Sequence, residues 1–288
     1  MKISTQTETT AQKLGEETAI KYIAQAGFDA ADFSMFGMHD NDDMLNRDNF
    51  REYVKRLKSI ADDCGIYFNQ SHAPFPSYRQ GEEEYNKLTY DRIIRAMEIS
   101  SILGVDIMVV HPTHISEKEN FDFNVKFFKS LQPYCEKFGV RVALENMWGT
   151  RDGKKVPNVC SVASDFIRHL DALDRRYFVG CLDLGHCGLV GEDAAEMIRA
   201  LGHDRLKALH VHDNDFIDDL HYYPFSGKMD WVSITKALAD INYDGVFTLE
   251  ADGMKKRMPV EFLPKALSYL YDAARQLTSM IESAANKT

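Results

Sequence analysis

Eight short runs of apolar and β-branched residues recur along the 288-residue chain, and this repetition constrains its fold more than any other feature. The runs are Lys2–Thr5, Ala31–Phe36, Ile66–Gln70, Asp106–His111, Val140–Glu145, Phe178–Asp183, Leu206–His212 and Gly245–Glu250. Each has the length of a buried strand. Amphipathic stretches separate them. Phe50, Val54, Leu57, Ile60 and Cys64 recur at helical spacing, with Asn46 as the expected cap and Gly65 as the stop. Val125, Phe128, Leu131, Cys135 and Phe138 repeat the pattern before Gly139, as do Val162–Leu173 and Ile234–Ile241. A last helix is expected from about Pro264 to Glu282. Alternating strand and helix forces parallel strands. Eight such units in about 250 residues or more describe a closed (β/α)8, or TIM, barrel. An open doubly wound sheet would place a GxGxxG fingerprint after its first strand, and none is there. The expectation is one barrel domain over residues 1–288, with Ser283–Thr288 frayed.

Composition narrows the function. The net charge of -10 argues against a nucleic-acid partner, because a phosphate backbone selects basic surfaces. No apolar run is long enough to span a membrane. The opening MKISTQTETT lacks the apolar stretch of a secretory signal. Cysteines 64, 135, 160, 181 and 187 form no CxxC pair, so neither a disulfide framework nor a thiolate zinc site is expected. These features describe a cytoplasmic enzyme without an organic cofactor.

In such a barrel the active site lies at the C-terminal ends of the strands. Those ends supply His72, His111, His114, Glu145, Asn146, Asp183, His186, His210, His212, Asp213 and Glu250. The loop after the seventh strand adds Asp219 and His221. Of the ten histidines, seven fall at or just past these ends. Buried carboxylates converging on one axis repel each other unless a cation neutralises them. The two-residue period puts Glu145 on the face of Ala143 and Asp183 on that of Cys181, with His210 deeper than His212. Glu145, Asp183, His210 and Glu250 are therefore the expected ligands of one divalent ion. Mixed oxygen and nitrogen donors suit Mn, Co, Mg or Zn.

The motifs VALEN, LDLGH, LHVHDND, DLHYYPFSGKMDW and YDGVFTLE, with the opening KLGEETAIKYIAQAGFDAADFS, resemble the xylose-isomerase-like TIM-barrel superfamily from about Leu14 to Leu270. That group includes sugar isomerases and epimerases and endonuclease IV. The resemblance to the ketose epimerases implies the same four ligands and a substrate-binding His186. Epimerases of the tagatose type carry an arginine shortly after the ligand histidine; Asp215 and Phe216 stand in that region here. The nine zinc ligands of endonuclease IV resemble His72, His111, Glu145, Asp183, His186, His210, Asp219, His221 and Glu250.

Two substrate classes compete. An isomerase or epimerase of a small polyhydroxy carbonyl compound would use Glu145 and Glu250 as the proton-transferring pair. His72, His111, His186, His212, Asp219, His221 and Trp148 would then meet substrate, with Phe36 beside them. A dehydratase of a keto-inositol-type compound would use the same residues. A phosphodiesterase acting on abasic DNA would need a basic groove, and the flanking loops HDNDDMLNRDN and DNDFIDDLH are acidic. Arg151, Lys154, Lys155, Lys255, Lys256 and Arg257 are the basic groups near the mouth. The long segment Asn146–Cys160 carries the Gly, Asp and Pro content of a mobile loop that caps the site and sets specificity. A homo-oligomer is compatible with the resemblance.

Overall fold

A computed structural model describes residues 1–286. Ten strands form: β1 (Ile3–Gln6), β2 (Ala30–Ser34), β3 (Tyr67–His72), β4 (Ile107–Val110), β5 (Arg141–Glu145), β6 (Trp148–Arg151), β7 (Lys154–Pro157), β8 (Phe178–Asp183), β9 (Leu206–His210) and β10 (Phe247–Leu249). Eight of them make one parallel sheet in the order β10-β1-β2-β3-β4-β5-β8-β9. A parallel bridge between Val211 and Leu249 joins the two ends into a ring. All eight expected runs are barrel strands, so the fold is the (β/α)8 barrel.

The differences are local. β2 ends at Ser34, and Phe36 opens a 3₁₀ turn over Phe36–His39. Asn46 does not cap the helix Phe50–Asp63; Asn49 occupies that position. The Asn46 amide instead donates to the carbonyls of Met38 and Asp40, which ties down the loop after β2. The segment after β5 is an antiparallel hairpin of β6 and β7. The last helix spans Leu263–Ala285, so most of the expected frayed tail is helical, and Lys287 and Thr288 lie outside the described residues.

Period-two alternation builds the barrel interior. Ile107, Val109, Ala143, Val179, Cys181 and Ala208 form a separate inner cluster of small or slender apolar side chains. Two residues further along their strands, Ala143, Cys181 and Ala208 give way to Glu145, Asp183 and His210. A large apolar cluster, including Phe33, Phe68, Phe128, Phe166 and Phe178, packs the strands against the surrounding helices.

The last turn of the ring is fastened by a buried ion pair. Lys255 and Asp252 are both buried and in contact. Asp252 also accepts from the backbone N–H of Thr9 at 2.9 Å, linking the segment after β10 to the helix Glu8–Leu14 that follows β1. Burial favours the neutral acid, but the Lys255 ammonium holds the Asp252 carboxyl below its usual range. The contribution is therefore present above the ordinary Asp range and is lost as pH falls through the lower folded value. Removing one partner strands a buried charge, so K255A is expected to cost about 3–5 kcal/mol. The D252N/K255M double variant should lose clearly less. Urea unfolding checks this; equal losses in the two variants would contradict the assignment.

Candidate metal centre

Four strands deliver one donor each to the barrel mouth. Glu145, Asp183 and His210 end β5, β8 and β9, and Glu250 follows β10. One ligand atom from each lies within 4.8 Å of the others, and all four residues are buried. The register explains the convergence, because Asp183 pairs with His210 and Glu145 with Cys181. His210 Nδ1 stands 3.0 Å from Glu145 Oε1 and 3.1 Å from Glu250 Oε2. Its Nε2 lies 3.6 Å from Asp32 Oδ2, too far for a hydrogen bond, and has no partner.

Two further donor groups adjoin this one. His72, His111 and Glu145 form the first, and His186, His212, Asp219 and His221 the second. The His72 and His111 Nε2 atoms are 3.0 Å apart, and His111 Nε2 is 2.9 Å from Glu145 Oε2. His212 Nε2 reaches both Asp183 oxygens, at 3.0 and 3.1 Å. Asp219 Oδ2 lies 3.2 Å from His221 Nε2 and 3.5 Å from His186 Nε2. The sequence separates four metal donors from an outer ring of substrate residues. In space the two sets interlock, because Glu145 belongs to two groups and Asp183 is held by His212.

Local sequence explains these placements. Asp183 caps the short helix Leu184–Leu189 by accepting from the His186 N–H at 2.8 Å, which brings His186 back over the mouth. Asn146 exchanges hydrogen bonds with the Asp183 backbone, at 2.7 and 2.9 Å. Gly185 is required, since a Cβ there would sit 2.0 Å from His212 Cε1.

The donor set fits a divalent cation. Asp32 Oδ1, His210 Nε2 and Asp219 Oδ1 are buried without hydrogen-bond partners, which is costly in a closed site. Without a cation, protons balance the charge. Burial opposes ionisation of Glu145, Asp183 and Asp219, but the facing imidazoles hold all three carboxyls below their usual range. Burial likewise works against charged histidines. Asp183 and Asp219 nevertheless carry His186 well above its usual value, as Cys181, Glu250 and Glu145 do for His210. His221, bonded to Asp219 and near Glu250, is pushed up to about 10. His111 is the exception: burial dominates and lowers it.

A cavity of about 640 Å³ opens over these donors. Met147, just before the β6–β7 hairpin, and Trp148, its first residue, line it. Gln6, Glu8, Phe75 and Asp252 also line it, and sequence reasoning passed over them. Gln6 Nε2 donates to Glu250 Oε1 at 2.9 Å. Burial and nearby Asp252 raise the Glu8 carboxyl to about 7. Gln6 and Glu8 stand at the end of the first strand, where reading that strand end as the others were read would have found them. Asp32 carried no signal, because it lies inside a run of buried strand residues. A fourth donor group, Cys160, Asp165 and His169, does not line the cavity. Burial pushes the Cys160 thiol far up, and Asp165 accepts from the Cys160 N–H as part of a helix start.

Residues 20–273 match the family described as xylose isomerase-like TIM barrel, and the chain belongs to that family. An uncharacterised protein of Methanocaldococcus jannaschii is 27% identical over 245 residues, covering 81% of this chain and 78% of that one. Fructoselysine 3-epimerase of Escherichia coli O157:H7 is 24% identical over 222 residues, covering 74% and 78%. Among solved structures, a D-tagatose 3-epimerase-like protein matches with a TM-score of 0.77 at 22% identity, covering 100% of this chain and 99% of that one. The IOLI protein with a bound zinc atom matches at 0.74 and 18%, covering 99% of each.

Raised histidine values give a signed expectation. A proton held by His221 up to about 10 stabilises the metal-free fold fully below pH 6.5, and that contribution is lost as pH rises toward 10. A cation must displace such protons. Titrating Zn²⁺ or Mn²⁺ into metal-free protein at pH 7.5, in buffers of different ionisation enthalpy, should release at least about one proton per chain. Affinity should rise with pH. Binding with no proton release would contradict the assignment.

Proposed function

We propose that the protein is a metal-dependent isomerase or epimerase of a polyhydroxy carbonyl compound. The observation that carries this reading is the placement of two carboxylates, Glu145 and Glu250, against one ring nitrogen of His210 at the floor of the cavity. The similarity to a fructoselysine 3-epimerase and to the D-tagatose 3-epimerase-like fold supports it.

Glu145, Asp183, His210 and Glu250 would hold the cation. When bound, a divalent ion supplies positive charge that polarises a carbonyl and offsets the charge developing on neighbouring oxygens. The remaining chemistry belongs to the chain. One carboxylate takes the proton from the carbon next to the carbonyl. The C–H electron pair becomes the C=C bond of an enediolate as the carbonyl π pair moves onto oxygen. The other carboxyl returns a proton to the opposite side for epimerisation; for isomerisation the proton goes to the former carbonyl carbon while the neighbouring hydroxyl proton passes to the former carbonyl oxygen. His186 and His221, which line the cavity, would orient substrate hydroxyls. Gln6 donates to Glu250, and His111 Nε2 lies 2.9 Å from Glu145 Oε2, so both members of the pair are held during proton transfer.

The extra histidine groups bear on how many ions bind. The dehydratase and phosphodiesterase readings use the same donors and are separated by the same assay. Ketoses and keto-inositols incubated in D₂O with Mn²⁺ or Zn²⁺ should gain deuterium at the carbon next to the carbonyl, with appearance of the epimer or isomer. E145Q and E250Q should each lower kcat by about 10²-fold or more. Elemental analysis of both variants separates loss of ion from loss of proton transfer. No exchange with any compound, or cleavage of abasic DNA instead, would overturn the reading.

A further inference from the structure

The cavity has two unlike sides. One carries the donor groups. The other is aromatic: the Phe36 and Phe75 rings meet edge to face at 4.7 Å, Phe36 abuts His72 at 4.6 Å, and Phe75 lies 4.8 Å from His111. The aromatic surface is thus continuous with the histidines. Phe75 is 39% exposed, a large apolar face left open inside a concave site. Trp148 adds a second ring beside His186, and Lys155 Nζ rests 3.6 Å from the centre of that ring. At about 640 Å³ the cavity lies within the ~300–1,000 Å³ of sites that enclose drug-sized molecules, larger than a lone hexose requires.

Charge points the same way. Among the described residues lining this cavity, Lys256 is the one lysine or arginine, and it shares the cavity with Glu8 and Asp252. Three of the other basic groups near the mouth are engaged. Arg151 pairs with Glu117 at 3.1 Å, Lys155 lies on Trp148, and Lys255 is buried against Asp252. No arginine stands between His210 and Trp231. Asp215 accepts the Ile217 and Asp218 N–H groups, and Phe216 packs where a side chain at Gly188 would collide with it. A phosphate brings about −1.5 to −2 charges and is usually gripped by arginine forks. The chain offers none here.

We propose that the site takes an uncharged glycoside that carries a keto group on a ring carbon other than the anomeric one, with that keto end at the donor groups and an apolar aglycone on the Phe36–Phe75 shelf. The assignment rests on the sugar-directed reading above and narrows its substrate class. Phosphorylated and free monosaccharides are then the poorer ligands.

Binding can be read apart from turnover. The chain has two tryptophans, and Trp148 lines the cavity while Trp231 is buried elsewhere, so quenching of tryptophan emission reports occupancy. The compounds are the phenyl and methyl glycosides of one hexose oxidised to a ketone at a non-anomeric ring carbon, the corresponding free keto sugar and its 6-phosphate, each added to the metal-loaded protein. The phenyl glycoside should bind at least ten-fold more tightly than the other three. F75A should bring the phenyl-to-methyl ratio toward one, and F75Y should restore it. Because Phe75 is partly exposed, both variants are expected to fold, and circular dichroism checks this. Equal or tighter binding of the phosphate or the free sugar, or an unchanged ratio in F75A, would overturn the proposal. Deuterium exchange with the free sugar but no phenyl preference would sink this inference alone. A phenyl preference without exchange in any compound would sink the isomerase reading and leave the shelf.

Discussion

Repulsion among buried carboxylates governs this molecule. Glu145, Asp183 and Glu250 come from three strands to one spot, with Asp219 and Asp32 close by. Such a set cannot stay ionised in a low-dielectric mouth without compensating charge. The fold answers with histidines. His210 sits between Glu145 and Glu250, His212 against Asp183, and His186 and His221 around Asp219. Imidazoles can carry protons when the centre is empty and surrender them when a cation arrives. On the proposed reading the same residues would serve folding without the ion and chemistry with it.

Much of the scaffold exists to hold these groups still. Small residues beneath the donors, Ala143, Cys181 and Ala208, leave the strand ends free to converge. Gln6, Asn146 and Gln70 fix polar atoms that would otherwise rotate: Gln70 Nε2 donates to Asp32 Oδ2 at 3.0 Å. Asp252, held by buried Lys255, fastens the segment after the last barrel strand to the helix Glu8–Leu14 after the first. Gly185 lets the Leu184–Leu189 turn approach His212. Site and fold are in this sense one network of contacts at the mouth.

The strand repeat was legible in the sequence because each strand is a short apolar run between helical patterns, and eight such runs leave few alternatives. The four deepest donors were legible for a related reason: the two-residue alternation puts a polar group at the end of an otherwise apolar face. Asp32 was hidden because its partner is Gln70 on the neighbouring strand, a contact set by register. Asn46 was misread as a helix cap because its side chain serves the preceding loop instead. The β6–β7 hairpin carried the Gly and Asp of a loop, and those residues make the tight turn between two short strands; Asp152 and Gly153 both have positive φ. The aromatic shelf was half seen, through Phe36 and Trp148, while Phe75 lies in a loop segment without periodicity.

The central claim is that these side chains form one cation-binding centre. Anomalous diffraction from crystals soaked in Mn²⁺, collected above and below the absorption edge, tests it most directly. The account predicts a peak bounded by Glu145, Asp183, His210 and Glu250. A map with no peak among those four side chains, at saturating ion and neutral pH, would contradict it.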